Sequence, residues 1–387
     1  MMQQIKMMKE DIIRRLCETH HLSRREDPSE LYRVLRTVGF QSPDEHSLGI
    51  ALCARMKDPM ALDLTDAKLL CTVGVRSAVR TIRTDEWTVF NKPFFPASEE
   101  ELTHMISGAT ELLAPLGMRA VHWLHMTVDL LSQVLSERSL AKRELGIALA
   151  SEAADLMDAA TREIWTWPSV LFRGQTLGET LMRFLLPVAS FAVPLRLRFD
   201  RQLGGFHYSL AKDVDVDAAS DHPVRRFLHA YGPADRDAYA LWAGISAAHA
   251  TRHWEQIPQE ELAQVEFEGK QSWMLVQDTH MESADPEGIR FIGPFDPLLR
   301  IPHKSLLIRG KQQYRYFFRS SGKPGMVLSD GTCVAGWHIR RKKRSWTMLL
   351  EDIGGPIGRL AVDELEQEAR RLEPVFGSRC DGVSFLR

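Results

Sequence analysis

Residues 221–257 leave the backbone few options. Gly232-Pro233 stops one short helix, the second runs from Ala234 to Ala243, and Ser246 caps the third after Gly244. The run Gln264 to Val276 follows, with Glu268-Gly269 at its centre, and suits a two-strand hairpin. Three helices and a hairpin make a winged helix. That unit most often sets its third helix against a nucleic-acid groove and its hairpin on the adjacent backbone, which makes Arg252, on the third helix, a candidate phosphate or base contact, with Trp242 and Trp254 assigned to the core.

The same order of elements recurs twice upstream. A first copy takes helices over Met7 to Glu18, Glu30 to Val38, Asp44 to Met56 and Thr65 to Cys71, then an extended segment Asp85 to Phe90. A second takes a helix over Thr127 to Ser136, a restart at Ser139 with a capping-box-like Glu144, and a hairpin over Leu195 to Leu210 with Gly204-Gly205 near its turn. No fixed-period identity links the copies, so the repeat is one of pattern.

From Ile289 onward the texture changes to short alternating runs: Lys304 to Ile308, Tyr314 to Phe318, Gly325 to Leu328, Cys333 to Ile339 and Ser345 to Leu350. Tight-turn dipeptides such as Asp330-Gly331 separate them, which predicts a small antiparallel barrel, closed by a helix over Ala361 to Leu372. The fold expected is therefore α+β: three tandem winged-helix units, 1–125, 126–215 and 216–285, around a small C-terminal antiparallel β-barrel, 286–387.

Charge is unevenly spread. The formal net charge is -2, so any nucleic-acid contact must rest on a local patch. Between Arg300 and Trp346 there are twelve Lys or Arg against the single acid Asp330. The densest knot, Arg340, Arg341, Lys342, Lys343 and Arg344, sits at an expected hairpin tip between Trp337 and Trp346, where it can follow phosphates.

Other chemistries lack their signals. There is no G-x-S-x-G, no G-x-x-x-x-G-K-[ST] and no G-x-G-x-x-G, and no cofactor is expected. His249 and His253 lie four apart and His122 and His125 three apart, but neither pair has a third ligand or the Glu of H-E-x-x-H, so no metal site is assigned. Five scattered cysteines without a C-x-x-C pair, and no apolar run of spanning length, predict a cytoplasmic protein without membrane contact.

Val38-Gly-Phe-Gln-Ser-Pro-Asp44 ends one helix and starts another, and on spacing alone Asp44 is an ordinary N-cap. This segment, with Ala51-Leu-Cys-Ala-Arg-Met56, Arg225-Arg-Phe-Leu-His-Ala-Tyr-Gly-Pro-Ala234, Ala240-Leu-Trp-Ala-Gly-Ile-Ser246, Gly293-Pro-Phe-Asp-Pro-Leu-Leu299 and Val327-Leu-Ser-Asp-Gly-Thr-Cys-Val-Ala-Gly-Trp337, resembles the bacterial winged-helix DNA-binding family that includes the AlkZ-like DNA glycosylases. Those enzymes remove bulky alkylated bases and unhook interstrand crosslinks.

The resemblance implies three winged-helix units around a barrel in a DNA cleft, a double-stranded DNA partner carrying alkylated or crosslinked N7-purines, and a monomer. It also implies that Gln41 and Asp44 are the catalytic pair. Where the glycosylases have Gln-x-Gln or Gln-x-Asp, this chain has Gln41-Ser42-Pro43, so the second role falls to Asp44 one place later. The Arg-Gly-Thr-Leu-His-like strand of the family is replaced by Glu86-Trp-Thr-Val-Phe90. These departures point to the alternative, a non-catalytic winged-helix protein that acts as a transcriptional regulator or a lesion binder.

Overall fold

Helices begin where apolar residues recur every three to four positions and strands where turn residues bracket short apolar runs. A computed structural model describes residues 5–218, 221–319, 322–355 and 357–386. In chain order its first elements are β1 (Ile5–Lys6), α1 (Lys9–Thr19), α2 (Leu31–Arg36), β2 (Phe40–Gln41), α3 (Ser47–Arg55), β3 (Leu69–Gly74), β4 (Ala78–Arg83), α4 (Trp87–Phe90), α5 (Glu99–Met105), α6 (Ala120–Val134), β5 (Leu140–Ala141), α7 (Lys142–Asp155), α8 (Ala159–Trp165) and α9 (Leu177–Ala189). They are followed by β6 (Leu195–Asp200), β7 (Gly205–Leu210), α10 (Pro223–Tyr231), α11 (Arg236–Ala243), α12 (Ala247–Trp254), β8 (Leu262–Phe267) and β9 (Lys270–Leu275). The last are β10 (Ile289–Ile292), α13 (Gly310–Phe317), β11 (Gly325–Ser329), β12 (Thr332–Arg341), β13 (Ser345–Glu351), α14 (Val362–Arg370), α15 (Glu373–Phe376) and β14 (Arg379–Leu386).

The expected punctuation is present. Glu268 and Gly269 both take positive φ, 49° and 73°, the conformation that a two-residue hairpin turn demands, and β8 pairs antiparallel with β9 from Leu262↔Leu275 to Phe267↔Lys270. Asp330 and Gly331 repeat this turn between β11 and β12, at 48° and 74°. Ser246 caps α12 by accepting the His249 amide at 3.2 Å, and Thr176 and Glu179 form a reciprocal capping box at the start of α9.

The chain divides into two compact units, and each is discontinuous in sequence. One comprises residues 1–66, 225–235 and 258–387; the other comprises 67–224 and 236–257. In the first, β1, β8 and β9 make a small sheet and β10 to β14 a larger one, whose face packs Phe291, Val327, Trp337, Trp346 and Leu350 against Ile50 and Cys53 of α3, Leu365 and Ala369 of α14, and Leu372 and Phe376. Arg15 of α1 closes the end of α10, donating to the carbonyls of His229 (2.8 Å) and Gly232 (2.9 Å) and to the Asp278 carboxylate (3.0 Å). In the second unit the β3–β4 hairpin and the β5-β7-β6 sheet accompany α4 to α9, α11 and α12. Its core includes Trp123 stacked on Trp165 at 4.9 Å, with Leu124, Leu145, Leu149, Leu181 and Leu185 buried.

Several expectations need correction. The C-terminal sheet, of order β10-β11-β12-β13-β14, is open among the described residues, and β14 runs parallel to β13, so there is no closed antiparallel barrel. The physical reason is the connection: after β13 the chain crosses through α14 and α15, which returns the next strand parallel and places a helix on the sheet face. Tyr314 to Phe317 is helical within α13, with Phe318 as its C-cap, and Lys304–Leu306 is a 3-10 turn. The aromatic spacing there serves a helix, with the Tyr314 and Phe318 rings meeting at 5.2 Å four positions apart and Phe317 buried. Asp85 to Phe90 is also not extended: Trp87, Thr88, Val89 and Phe90 form α4, buried on every side so that no alternation distinguishes it from a strand. Thr65 to Cys71 is no helix, since β3 begins at Leu69; α7 starts at Lys142, with the Glu144 carboxylate accepting the Ala141 amide at 3.1 Å and Ser139 lying ahead of β5.

Gly178 lies against Trp165, where a Cβ would come within 2.2 Å of the indole. Gly178→Ala is therefore expected to cost about 1–3 kcal/mol through overpacking, read as a lower urea midpoint with an unchanged slope.

Candidate active site

Gln41 closes the two-residue strand β2, half-buried, and its Oε1 accepts a hydrogen bond from Nη2 of Arg300 at 2.9 Å. A guanidinium only donates, so this contact sets the amide orientation: the carbonyl faces Arg300, keeps one lone pair, and leaves the amide nitrogen with two hydrogens to give. Arg300 is half-buried and its pKa is lowered by that burial.

What brings Arg300 to Gln41 is the segment before it. Arg55 of α3 grips Asp296 with two parallel bonds, Nη1 to Oδ2 at 2.7 Å and Nη2 to Oδ1 at 2.8 Å, and the two side chains are 1% and 0% exposed. Asp296 Oδ1 also accepts the Leu298 amide at 2.9 Å, starting the short turn Pro297–Arg300. The Arg55 guanidinium lies 4.9 Å from the Phe40 ring centre and gives its Nε to the His20 carbonyl at 2.8 Å, while Tyr231 donates to the Pro297 carbonyl at 2.9 Å. Four of the sequence segments that carry the resemblance thus meet around one buried ion pair. Arg55 and Asp296 lie in segments that carry the resemblance, but no local pattern marks either of them, or Arg300, as part of this site.

Asp44 has different partners. Its Oδ1 accepts the amides of His46 (2.9 Å) and Ser47 (2.8 Å) and the Ser47 hydroxyl (2.9 Å), just ahead of α3. Asp44 is thus not the N-cap that spacing suggested, since His46 holds that position; it braces the turn ahead of α3 instead, and its carboxylate is not joined to Gln41. The next residues connect this loop to the basic hairpin. His46 Nδ1 donates to the Val375 carbonyl at 3.0 Å, which leaves Nε2 to accept from Arg341 at 3.0 Å, and the Arg341 guanidinium lies 5.3 Å from the Phe376 ring centre.

The hairpin tip itself, Arg340 to Arg344, is exposed throughout. Lys342 pairs with Asp381 at 2.7 Å, and its amide closes the turn on Ser345 at 2.8 Å. Among the described residues Arg340, Lys343 and Arg344 have no ion-pair partner, so their charge faces solvent. The flanking Trp337 and Trp346 are buried and donate to the Ile292 and Ser378 carbonyls.

Arg252 lies in the other unit. It reaches both oxygens of Glu101, at 3.3 and 3.0 Å, and Glu101 is buried, accepts the Ala97 amide and lies 3.3 Å from His249 Nδ1. Trp242 and Trp254 are core residues, as expected. His249 and His253 both turn Nε2 to the Pro93 carbonyl, at 3.1 and 2.8 Å, and Tyr239 donates to His253 Nδ1 at 2.7 Å. Burial lowers both pKa values, that of His253 to about 3, so His253 is a neutral hydrogen-bonded core group, while His249 is a buried one whose Nδ1 faces the Glu101 carboxylate. His122 and His125 are exposed on α6, and no group of three or more metal-ligating side chains occurs among the described residues.

The family described as DNA glycosylase AlkZ-like matches residues 34–375, a span that holds Gln41, Arg55, Tyr231, Asp296, Arg300 and the basic hairpin. The chain belongs to this DNA glycosylase family. It is 24% identical over 390 residues to an interstrand DNA cross-link repair glycosylase of Streptomyces sahachiroi, covering 94% of each protein. The solved Streptomyces sahachiroi DNA glycosylase AlkZ superposes with a TM-score of 0.69 at 17% identity, over 99% of this chain and all of that one, which shows a shared fold.

Two outcomes are expected from these contacts. Asp296→Ala strands the Arg55 charge and should lower unfolding stability by roughly 3–5 kcal/mol, with Arg55→Met plus Asp296→Leu recovering part of the loss in the same denaturation assay. Arg252→Glu sets a carboxylate against buried Glu101 and should lower the thermal midpoint clearly. An unchanged midpoint would show that the Arg252–Glu101 contact carries no stability.

Proposed function

We propose that the protein is a monofunctional DNA glycosylase that removes bulky or crosslinked N7-alkylated purines from double-stranded DNA, working as a cytoplasmic monomer without a cofactor. The observation that carries this reading is the Gln41 amide, oriented by Arg300 on a loop that His46 ties to Arg341 of the basic hairpin. An N7-alkylated purine leaves as a cation-derived base and needs no general acid. The protein has only to place a water and stabilise an oxocarbenium-like sugar. Gln41 has one carbonyl lone pair and two amide hydrogens for a water, and Asp44 supplies negative charge in the same loop. The five cysteines, all outside disulfides, suit a reducing compartment.

The finer architecture belongs to the same proposal: three winged-helix units over 1–125, 126–215 and 216–285, followed by 286–387, with Arg340, Arg341, Lys342, Lys343 and Arg344 on the DNA backbone and Arg252 contributing from α12. A second reading, a non-catalytic DNA-binding protein acting as a lesion binder or transcriptional regulator, draws on two observations. Pro43 replaces the second motif residue, and the Asp44 carboxylate is engaged at the start of α3.

Purified protein incubated with N7-alkylated duplex should generate abasic sites. Gln41→Ala should slow release by roughly ten- to a thousandfold. Asp44→Asn should slow it on the same scale while keeping Oδ1 for the His46 and Ser47 amides, so a slower rate with an unchanged melting midpoint separates chemistry from capping. Binding without base release by the wild type selects the lesion-binder reading; release at full rate by both variants places the chemistry on other residues. Replacing Arg341, Lys342 and Lys343 by Ala should weaken duplex binding and flatten its salt slope, by about 0.9 for each phosphate no longer neutralised. Unchanged affinity and slope would remove the hairpin from the DNA contact.

A further inference from the structure

Unit 67–224/236–257 carries a recess of about 220 Å³ lined by Lys142, Arg143, Gly146 and Ile147 of α7 and by Gln175, Glu179 and Arg183 of the α9 region. Three cations and one carboxylate leave it a net charge of +2, and Glu179 is already engaged in part by the Thr176 amide at 3.1 Å. Water occupies ~30 Å³ per molecule, so the space admits a tetrahedral oxyanion with its first waters.

Two features of α7 go against ordinary helix rules, and an anion bound in the recess would offset both. Lys142 and Arg143 stand in the first turn, where the helix dipole disfavours cations, beside the one acid of that turn, Glu144, and the cap residue Ala141 has no side-chain acceptor for the first-turn amides. Gly146 sits inside the helix, where glycine is unfavourable, yet a Cβ there would meet nothing within 4 Å. No packing contact requires this glycine; it keeps the recess open. Arg183 stacks on Phe172 at 4.2 Å, which holds its guanidinium at the rim.

We infer that this recess is a phosphate-ester site, with Lys142, Arg143 and Arg183 as its ligands and Gly146 as its floor. Two sources share that chemistry, a DNA backbone phosphate and a free phosphorylated molecule. The first rests on the DNA-binding reading above and the site itself does not.

The test uses two variants of the full chain. Lys142→Ala with Arg183→Ala removes charge, and Gly146→Leu fills the recess while keeping every charge and improving helix propensity, so its melting midpoint should not fall. Acetylation of Lys142 by an amine-reactive ester is followed by mass spectrometry with and without a 20-base-pair duplex or inorganic phosphate, beside duplex anisotropy at several salt concentrations. Protection of Lys142 by duplex, with affinity at least fivefold weaker in both variants and a salt slope reduced by about one to two in the charge variant, assigns the site to the DNA backbone. Protection by inorganic phosphate in the wild type but not in Gly146→Leu, with duplex affinity unchanged, assigns it to a free phosphate ester. If neither probe protects Lys142 and both variants bind duplex like the wild type, the site does not exist. A wild type that binds no duplex overturns the DNA-binding reading alone, and the phosphate arm then decides the recess.

Discussion

The Arg55–Asp296 pair is the interaction on which the candidate site depends. Both side chains are out of water, so each charge is tolerated only because the other is present in bidentate geometry, and the pairing joins segments 241 residues apart. A pair of this kind contributes little net stability compared with apolar packing, but breaking it is costly, which makes it a positional constraint. Asp296 starts the turn that ends at Arg300, and Arg300 orients Gln41. A shift in the pair therefore moves the amide.

Around that anchor the charges divide by task. Arg15 and Arg55 are committed to carboxylates or carbonyls within the fold, whereas Arg340, Lys343 and Arg344 face solvent at a hairpin tip. Arg341 does both, stacking on Phe376 and holding His46. A cation count along the sequence treats these groups alike. Their surroundings separate structural cations from those available to a polyanion.

Local signals were legible where a single residue type decides the backbone. The Glu268-Gly269 and Asp330-Gly331 turns, the Ser246 cap and the glycine stop after α11 need no tertiary information, because positive φ and unpaired helix amides are local problems. The errors fell where burial hides periodicity. Trp87 to Phe90 is enclosed on all sides, and the Tyr-x-Tyr-Phe-Phe run of α13 fits strand alternation and helix spacing equally well until Phe317 is known to point inward. The open sheet follows from the α14–α15 crossover, which strand propensities in β10 to β14 do not report.

By itself, the amino-acid order determined the α+β class, the hairpin and helix boundaries set by Gly, Pro and Ser, the basic tip Arg340 to Arg344, and the family to which Gln41 pointed. Tertiary structure decided which partner each polar side chain took: Gln41 with Arg300, Asp44 with the start of α3, Arg252 with Glu101, and His249 and His253 with the Pro93 carbonyl. The reason is the range of the forces involved. Backbone conformation is chosen within a few residues, whereas a charge or amide removed from water must find its complement wherever folding brings one, and sequence distance carries no record of that meeting.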